Sequence, residues 1–304
     1  MNGYMGFVGV TTSGSSIMKI FPQWARILQL PTDRLTGHDL PLGASREQYR
    51  ELVTRIRDDK DHRGALVTTH KMDLYQAAHD LFDEVDEFGR LCGEISSISK
   101  RDGRLIGHAK DPITAGLALE EFLPPGHFKE TGAHVICLGA GGAGTALSWY
   151  LAGHTDAPEK IVCTDTSPVR LQHLADVHAR GQLPAALFEY RLIEGPGDTA
   201  RVMAEAPAGS LVVNASGLGK DRPGSPLPDG VDFPRDAIVW EFNYRGSLEF
   251  LAQAREQAEQ RQLTVVDGWR YFIHGWSQVI AEVFDVELTD QLLDQLAEAA
   301  ASAR

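Results

Sequence analysis

Lys71 stands where a β-type stretch, GALVTT, gives way through a histidine to the amphipathic stretch MDLYQAAHDLF. The change of pattern predicts a strand followed by a helix, with the lysine at their junction. A lysine at the edge of a sheet is either a solvated surface group or an acid–base group, and the second role needs its pKa brought down from about 10.4 by burial. Asp111, before the helical stretch ITAGLALEEFL, is likewise either a helix N-cap or a functional carboxylate.

A glycine-rich loop follows the apolar segment HVICL and opens a helical segment, and it comprises Gly139, Ala140, Gly141, Gly142, Ala143 and Gly144. The spacing G-x-G-x-x-G between a strand and a helix predicts a dinucleotide-binding loop. The first glycine permits the tight turn, the second lets the backbone approach a pyrophosphate, and the third allows close packing of helix on strand. The helix N-terminus then offers N–H groups and a partial positive charge to the phosphates. A glycine-rich turn that binds no cofactor is the alternative.

Asp165 ends the next β-type segment, KIVCTD, and follows Gly144 by 21 residues. An acid about 20 residues after the glycine loop is the expected partner of a ribose 2′-hydroxyl, and it would repel a 2′-phosphate. The sequence therefore predicts NAD in preference to NADP. Arg170 could still accept a phosphate, so NADP stays open.

The elements around these residues predict an α/β protein of two domains. The first third alternates short strands and helices, with Ser45 as the N-cap of one helix and a hairpin over EISSISKRDGRLIGHAKD, which turns at Asp-Gly. After Asp111, the apolar segments HVICL, KIVCTD, SLVVNASG, AIVWEFNY and LTVVDG alternate with helical stretches, a pattern typical of a parallel sheet covered on both faces. We expect domains at 1–112 and 113–266, with the helices of 267–304 packing back on the first.

Composition narrows the class of partner. The chain has 304 residues, 43% of them hydrophobic, and a net charge of −13, which disfavours nucleic acid and anionic membrane surfaces as partners. Three cysteines without zinc spacing indicate a reducing compartment, although Cys137 and Cys163 fall in neighbouring predicted strands and a redox pair stays open. No apolar run reaches the roughly 20 residues of a spanning helix, and the N-terminus lacks a signal-peptide pattern, so we expect a cytoplasmic protein.

Several short motifs together resemble the shikimate/quinate dehydrogenase family along nearly the whole chain. LGAGGAG is similar to that family's dinucleotide loop, VVNASGLG to its Asn-Ala-Thr/Ser segment, and VTTHK to its Val-Thr-x-Pro-x-Lys. HAKD lies where the family has Asn-Thr-Asp, EFNY resembles Asp-x-x-Tyr, SGS at 13–15 matches Ser-x-Ser, and DGWRYFIHGW resembles Asp-Gly-x-x-Met-Leu-x-x-Gln. The resemblance implies an N-terminal α/β substrate-binding domain, a Rossmann-type dinucleotide-binding domain and an active site in the cleft between them.

The resemblance also implies roles for individual residues. Lys71 and Asp111 would be the catalytic pair that moves the proton while hydride passes to or from NAD, with NADP as the alternative cofactor. Residues implied or expected near the substrate, a hydroxylated carboxylic acid, are Ser13, Ser15, Thr68, Ser96, Lys110, Tyr244 and His274. Residues implied at the cofactor are Gly139, Gly141, Gly142, Ala143, Gly144, Asp165, Thr166, Asn214 and Ala215.

Some of the substrate assignments have a plainer alternative. The Ser13–Ser15 stretch is also compatible with a turn of small residues, with Ser15 or Ser16 capping the next helix, and Tyr244 with a core tyrosine. His70, His108 and His274 could converge, but their spacing specifies no metal, and none is expected.

The match is altered at positions that read substrate hydroxyls in the family. Ala65 or Leu66, Ser96 and Ala109 replace asparagines, Lys110 replaces a threonine, and Gly275, beside His274, replaces a glutamine. A site that loses such hydrogen-bonding groups changes specificity, so the reaction class is predicted more firmly than the substrate. We expect shikimate, quinate or a related polyhydroxylated cyclic acid or cyclitol.

Two other functions stay open at this point. A non-catalytic sensor of metabolite and nucleotide on the same fold is favoured by the lost asparagines and disfavoured by Lys71 and Asp111. A dehydrogenase of the methylene-tetrahydrofolate type is disfavoured by Ser-x-Ser and EFNY. The substrate, the direction of reaction and the oligomeric state, a homodimer included, are not specified by the sequence.

Overall fold

The structure is a computed structural model that describes residues 3–220 and 222–303. Its strands are β1 (Tyr4–Gly9), β2 (Leu35–Asp39), β3 (His62–Val67), β4 (Glu84–Val85), β5 (Ser97–Arg101), β6 (Arg104–His108), β7 (Val135–Leu138), β8 (Ile161–Asp165), β9 (Phe188–Leu192), β10 (Leu211–Asn214), β11 (Ile238–Glu241) and β12 (Thr264–Val266). Its helices are α1 (Ile17–Ile27), α2 (Arg46–Asp58), α3 (Lys71–Ala78), α4 (Glu87–Cys92), α5 (Asp111–Glu120), α6 (His127–Thr131), α7 (Gly142–Ala152), α8 (Pro168–Arg180), α9 (Pro196–Glu205), α10 (Glu249–Arg261), α11 (Trp269–Phe284) and α12 (Asp290–Ala300).

The chain folds into two compact units. The first unit comprises Met1–Lys110 and Ile273–Arg304, and the second comprises Asp111–Phe272. Each unit is built on its own six-stranded sheet.

The sheet of the first unit is mixed, in the order β2-β1-β3-β5-β6-β4. The pairs β1/β2 and β1/β3 are parallel, and β3/β5 and β5/β6 are antiparallel. One face carries a core with residues of α2 and α3, among them Leu52, Val53 and Leu74. On the other face, Phe7 of β1 meets Trp276 of α11 edge-on, with ring centroids 4.8 Å apart.

The sheet of the second unit is parallel throughout, in the order β12-β11-β10-β7-β8-β9. Alternate strand residues enter two separate cores, with Val135 and Cys137 on one face and Ile136 and Leu138 on the other. Because both faces are covered, the strands need apolar residues at every position, which is the pattern of HVICL and SLVV. The predicted covered parallel sheet is confirmed.

Local signals in the first unit are also confirmed. Ser45 caps α2 in a reciprocal capping box, in which its hydroxyl accepts from the Gln48 N–H and the Gln48 side chain accepts from the Ser45 N–H. The hairpin β5/β6 turns at Asp102 and Gly103, whose φ angles of 51° and 76° are the two positive values that a type I′ turn requires.

The sequence did not predict β9, whose residues FEYRL mix charged and aromatic side chains. This strand lies at the edge of the second sheet and is mostly half-buried, so it lacks the continuous apolar run of its neighbours.

Cys137 and Cys163 pair in register on β7 and β8 as buried, unbridged thiols. Burial raises the pKa of Cys137 to about 12 and that of Cys163 well above its usual value, which makes both thiols poor nucleophiles. Among the described residues, no helix combines the length and the apolar character that crossing a bilayer requires.

Candidate functional site

The glycine loop joins β7 to α7 at the carboxyl edge of the parallel sheet. Gly139 has a φ of 122°, and a Cβ there would lie 2.7 Å from main-chain atoms of Ala215 and Ser216. A Cβ on Gly144 would lie 2.1 Å from the Gly139 carbonyl oxygen, whereas a Cβ on Gly141 would meet nothing within 4 Å. Two glycines are therefore required by the packing of the loop, and the third leaves an open side toward solvent. Gly142 and Ala143 form the first turn of α7 on that side.

Asp165 ends β8 beside this loop and is 9% exposed. Its Oδ2 accepts from the Ala140 N–H at 2.9 Å, and its Oδ1 accepts from the Ser167 N–H at 2.8 Å. The Arg170 guanidinium lies 3.9 Å from Oδ2 and is 57% exposed. The carboxylate is thus fixed against the glycine loop, with lone pairs left for further donors, and exposed Thr166 follows it directly.

Asn214 ends β10 and Ala215 follows it, beside the glycine loop. The Ala215 N–H donates to the Leu138 carbonyl at 2.9 Å, which ties this segment to the end of β7. Asn214 is fully buried, and its side chain forms hydrogen bonds with neighbouring protein groups.

Lys71 is the first residue of α3 and is half-buried. Its carbonyl accepts from the Ile95 N–H at 3.1 Å, and its N–H donates to the Thr68 carbonyl at 3.3 Å. Thr68 in turn donates from its hydroxyl to the Val8 carbonyl at 3.2 Å. Lys71 therefore lies at a junction of strand and helix, as the sequence pattern predicts, and its backbone is bonded to the segments after β3 and before β5.

His70, directly before Lys71, is fully buried. Its Nε2 lies 3.0 Å from the Leu40 carbonyl oxygen, and its Nδ1 lies 2.8 Å from the Tyr49 hydroxyl. Because a carbonyl can only accept, Nε2 carries a hydrogen, and in the neutral ring Nδ1 accepts from Tyr49. His70 thus braces the start of α3 and has no ring nitrogen left for a substrate.

Lys110 and Ser96 form a separate polar group at the end of β6. Lys110 Nζ contacts Glu282 of α11 in an ion pair, and the Lys110 N–H donates to the Ser96 hydroxyl at 2.8 Å. Burial acts to raise the pKa of Glu282, but the hydrogen bond from Lys110 and the nearby His108, Lys110 and Arg101 charges hold it below the usual value. The charge of Lys110 is therefore neutralised within the first unit. Asp111, the next residue, begins α5 and is 8% exposed.

The Ser13–Ser15 turn lies between β1 and α1. Ser13 is exposed and Ser15 half-buried, and the Ser15 N–H donates to the Thr12 carbonyl at 3.0 Å. Ser16 occupies the N-cap position of α1 without a capping side-chain hydrogen bond, since its hydroxyl donates to the Ala303 carbonyl at 3.1 Å. A cavity of about 560 Å³ opens beside both serines, Lys19 and Gln23.

Tyr244 and His274 lie in different units. Tyr244 is half-buried and packs against Trp269 and Phe272, with ring centroids 6.0 and 4.2 Å away. His274 is 2% exposed on α11, and its carbonyl accepts from the Ser277 hydroxyl at 3.3 Å. Within the described ranges, no cluster of three or more histidine, cysteine, aspartate or glutamate residues could hold a metal ion.

One buried acid near the cofactor loop enters the sequence analysis only as the first residue of the EFNY motif, without a role of its own. Glu241 ends β11, is 0% exposed and forms a hydrogen bond with Asn214 at 2.7 Å. The signal available was an acidic residue closing an apolar strand, in AIVWE.

Comparison with known proteins places these features in a family. A curated shikimate dehydrogenase (NADP(+)) of Sphingopyxis alaskensis is 32% identical over 240 residues, which cover 76% of this chain and 74% of that protein. The shikimate dehydrogenase (NADP(+)) of Streptococcus gordonii is 28% identical over 222 residues, 73% of each chain. No family model matches the chain.

Solved structures share the fold over almost the full length. A quinate dehydrogenase of Corynebacterium glutamicum in complex with NAD aligns with a TM-score of 0.76 at 22% identity and covers 99% of both chains. The shikimate 5-dehydrogenase of Thermus thermophilus in complex with NADP(H) and shikimate aligns with a TM-score of 0.72 at 22% identity, over 99% of this chain and 100% of the other. With its substrate-binding and Rossmann-type folds and its relatives at 30% identity or above, the chain belongs to the shikimate dehydrogenase family of NAD(P)-dependent oxidoreductases.

Proposed function

We propose that the protein catalyses reversible hydride transfer between NAD(P) and a secondary alcohol or ketone of shikimate, quinate or a related polyhydroxylated cyclic acid. The observation that carries this proposal is the glycine loop, whose open side at Gly141 and close packing at Gly139 and Gly144 fit a dinucleotide pyrophosphate. Family membership supplies the reaction class.

NAD is the preferred cofactor in this proposal, although the curated relatives are named for NADP(+). The support is Asp165, which the Ala140 and Ser167 N–H groups hold at the end of β8. A fixed carboxylate there accepts from a ribose 2′-hydroxyl and repels a 2′-phosphate. Arg170, whose guanidinium lies 3.9 Å from Asp165 Oδ2, favours NADP instead.

When bound, the dinucleotide supplies or accepts the hydride. Lys71 takes the hydroxyl proton of the alcohol at Nζ, or donates a proton to the carbonyl oxygen as the ketone is reduced. The Lys71 ammonium also stabilises the negative charge that develops on that oxygen. Asp111 is proposed as the carboxylate partner that orients the lysine, as the HAKD motif implies.

We further propose that this chain binds the substrate hydroxyls with other groups than the family's asparagines and glutamine, so that its specificity among these substrates differs. Ala65 is packed in the core with α2 and α3, and Leu66 lies on the opposite face of β3. Both side chains are apolar, so neither can form a hydrogen bond with a substrate hydroxyl. The Ser96 hydroxyl accepts from the Lys110 N–H, and the Lys110 ammonium forms an ion pair with Glu282. The carboxylate end would be bound by Ser13 and Ser15, as the Ser-x-Ser match implies, with Thr68, Tyr244 and His274 as further candidates.

A substrate panel tests this function. Nicotinamide absorbance would be followed with NAD and NADP against shikimate, quinate and several cyclitol acids, in the wild type and in Lys71→Ala. We expect turnover of at least one substrate, a loss of at least a hundredfold in Lys71→Ala, and no loss in Lys60→Ala, which removes an exposed lysine of the same unit. Binding of NAD without turnover of any substrate would favour the sensor function.

A further inference from the structure

Glu241 is a buried acid that the proposed reaction does not use. Its side chain is 0% exposed at the end of β11, and burial raises its pKa to about 7 against the opposing hydrogen bonds from Asn243 and Asn214. A fully buried acid destabilises the fold unless its oxygens accept hydrogen bonds. The role of Glu241 is therefore inferred from the groups that donate to it.

Both oxygens of the Glu241 carboxylate accept from N–H groups. Oε1 accepts from the main-chain N–H of Asn243 at 2.8 Å, and Oε2 accepts from the side-chain amide of Asn214 at 2.7 Å. The carboxylate therefore joins the ends of two adjacent strands, β10 and β11.

The two asparagines reach from there to one carbonyl. Asn214 Nδ2 lies 3.2 Å and Asn243 Nδ2 lies 2.9 Å from the Leu218 carbonyl oxygen. The Asn214 Oδ1 accepts from the main-chain N–H and the hydroxyl of Ser216, at 3.1 and 2.7 Å. Because the Glu241 carboxylate can only accept, it fixes the orientation of the Asn214 amide, with Nδ2 toward Glu241 and Oδ1 toward Ser216.

The segment held in this way, Ala215–Gly219, packs directly on the glycine loop. Gly139 tolerates no Cβ because main-chain atoms of Ala215 and Ser216 would lie 2.7 Å from it. A displacement of Ser216 would therefore change the space beside the first glycine of the loop.

We propose that Glu241 is a positioning residue for the dinucleotide site, which acts through Asn214 and Asn243 to hold Ala215–Gly219 against the glycine loop. This inference rests on the proposed use of NAD(P). Because Glu241 is fully buried and bonded to Asn214 and Asn243, it acts on the affinity for the dinucleotide through the position of Ala215–Gly219.

Glu241→Gln tests the proposal because the amide has the same shape and one oxygen fewer. Whichever way it is placed, its NH₂ group faces one of two N–H donors, and one hydrogen bond is lost. Dissociation constants for NADH and NADPH would be measured by nucleotide fluorescence well below the melting temperature and at about pH 8.5, where Glu241 is ionised. We expect both to rise about tenfold, the effect of one charge-assisted hydrogen bond.

Asp156→Asn is the matched control. Asp156 is also a buried carboxylate of the second unit that accepts from two main-chain N–H groups, those of Phe128 and Lys129, each at 3.0 Å. It follows the C-terminus of α7, whereas the glycine loop precedes the N-terminus of that helix, about 16 Å away along its axis. We expect Asp156→Asn to lower the melting temperature and leave both dissociation constants unchanged.

Three results would overturn the proposal. They are a dissociation constant in Glu241→Gln within twofold of wild type, an equal loss of affinity in Asp156→Asn, and a Michaelis constant for the alcohol that rises as much as that for the dinucleotide. If Glu241→Gln does not fold, Asn243→Ala decides, since it keeps the main-chain N–H on Glu241 and removes the bond to Leu218; we expect about a threefold rise. A wild type that binds neither nucleotide would instead refute the proposed function.

Discussion

At the scale of single residues, the candidate catalytic lysine depends on the residue before it. His70 uses one ring nitrogen on Leu40 and the other on Tyr49, so the start of α3 is anchored to the segment after β2 and to α2. An exposed lysine on a frayed helix end would lack this anchor, and its Nζ would sample many positions.

His70→Ala should lower kcat by about ten- to a hundredfold, because Lys71 loses its fixed position. It should also reduce the free energy of unfolding by about 2 to 4 kcal/mol, since Leu40 and Tyr49 lose a buried partner. Steady-state kinetics and urea unfolding measure the two effects. Tyr49→Phe, which removes a single hydroxyl from the same network, should have the smaller effect on both, and the reverse order would contradict this account.

Asp165→Asn should change the choice of nucleotide; it keeps the shape of the side chain but loses one of the two main-chain hydrogen bonds, so the ratio between the two nucleotides is the quantity to compare. Loss of the negative charge removes the repulsion of a 2′-phosphate, so we expect the ratio of kcat/KM for NADP to that for NAD to rise by about tenfold or more. Arg170→Ala, beside it, should lower the same ratio. If the ratio of kcat/KM for NADP to that for NAD changes in the same direction in both variants, Asp165 and Arg170 do not determine the preference for NAD.

At the scale of elements, the glycines of the loop between β7 and α7 have different functions, although they belong to one motif. Gly144 is needed for packing inside the protein, because its Cβ would strike the Gly139 carbonyl oxygen at 2.1 Å. Gly141 has a φ of −80°, which any residue adopts, and open space on its Cβ side.

Gly141→Ala should therefore leave the melting temperature unchanged and weaken NAD(P)H binding by about tenfold or more, because the methyl group fills space beside the pyrophosphate. Gly144→Ala should lower the melting temperature, since the overlap with Gly139 forces a backbone shift. Thermal unfolding and nucleotide fluorescence separate the two. Equal melting temperatures in the two variants would contradict the assignment of Gly144 to packing and of Gly141 to nucleotide binding.

The sequence predicts those parts of the fold that depend on a single element or turn. Strands buried on both faces, such as β7 and β10, carry unbroken apolar runs, and the Asp-Gly turn of β5/β6 is encoded in two adjacent residues. Contacts between distant residues leave no local pattern. Lys110 and Glu282 are 172 residues apart, and the role of Glu241 depends on the ends of two strands and a loop meeting around it. The sequence therefore gives Lys110 an expected place near the substrate without its partner Glu282, and it gives Glu241 only as the first residue of the EFNY motif.

At the scale of the whole molecule, buried histidines in both units make stability depend on pH. In the first unit, burial and the nearby His38 and Lys100 charges lower the pKa of His62 to about 3. In the second, burial lowers the pKa of His178 to about 4, between the Ser148 and Tyr190 hydroxyls. Both groups bind a proton more readily in the unfolded chain, where the pKa is about 6.5.

Stability from these histidines is present above about pH 6.5 and is lost as the pH falls toward 4 and 3. Glu241 acts in the opposite sense, since its raised pKa favours the folded state as the pH falls from about 7 to 4.5. Two histidines outweigh one acid, so we expect the free energy of unfolding to fall by a few kcal/mol, order of magnitude, between about pH 7.5 and 4.

Urea unfolding at several pH values across this range measures the change. His178→Gln should flatten the dependence below about pH 6.5, because the glutamine has no proton to gain. A wild type that is as stable at the acidic end of the range as at the neutral end would contradict the assignment.

The division of the chain into units has a consequence for synthesis. The second unit is one continuous segment, Asp111–Phe272, whereas the first needs Ile273–Arg304, including Trp276 against Phe7 and the Leu296 carbonyl that accepts from Trp24 at 2.8 Å. A ribosome delivers residues in order, so the second unit can fold while the first still lacks part of its core. The unit that is begun first is therefore completed last, and until Trp276 is delivered the sheet face at Phe7 stays uncovered.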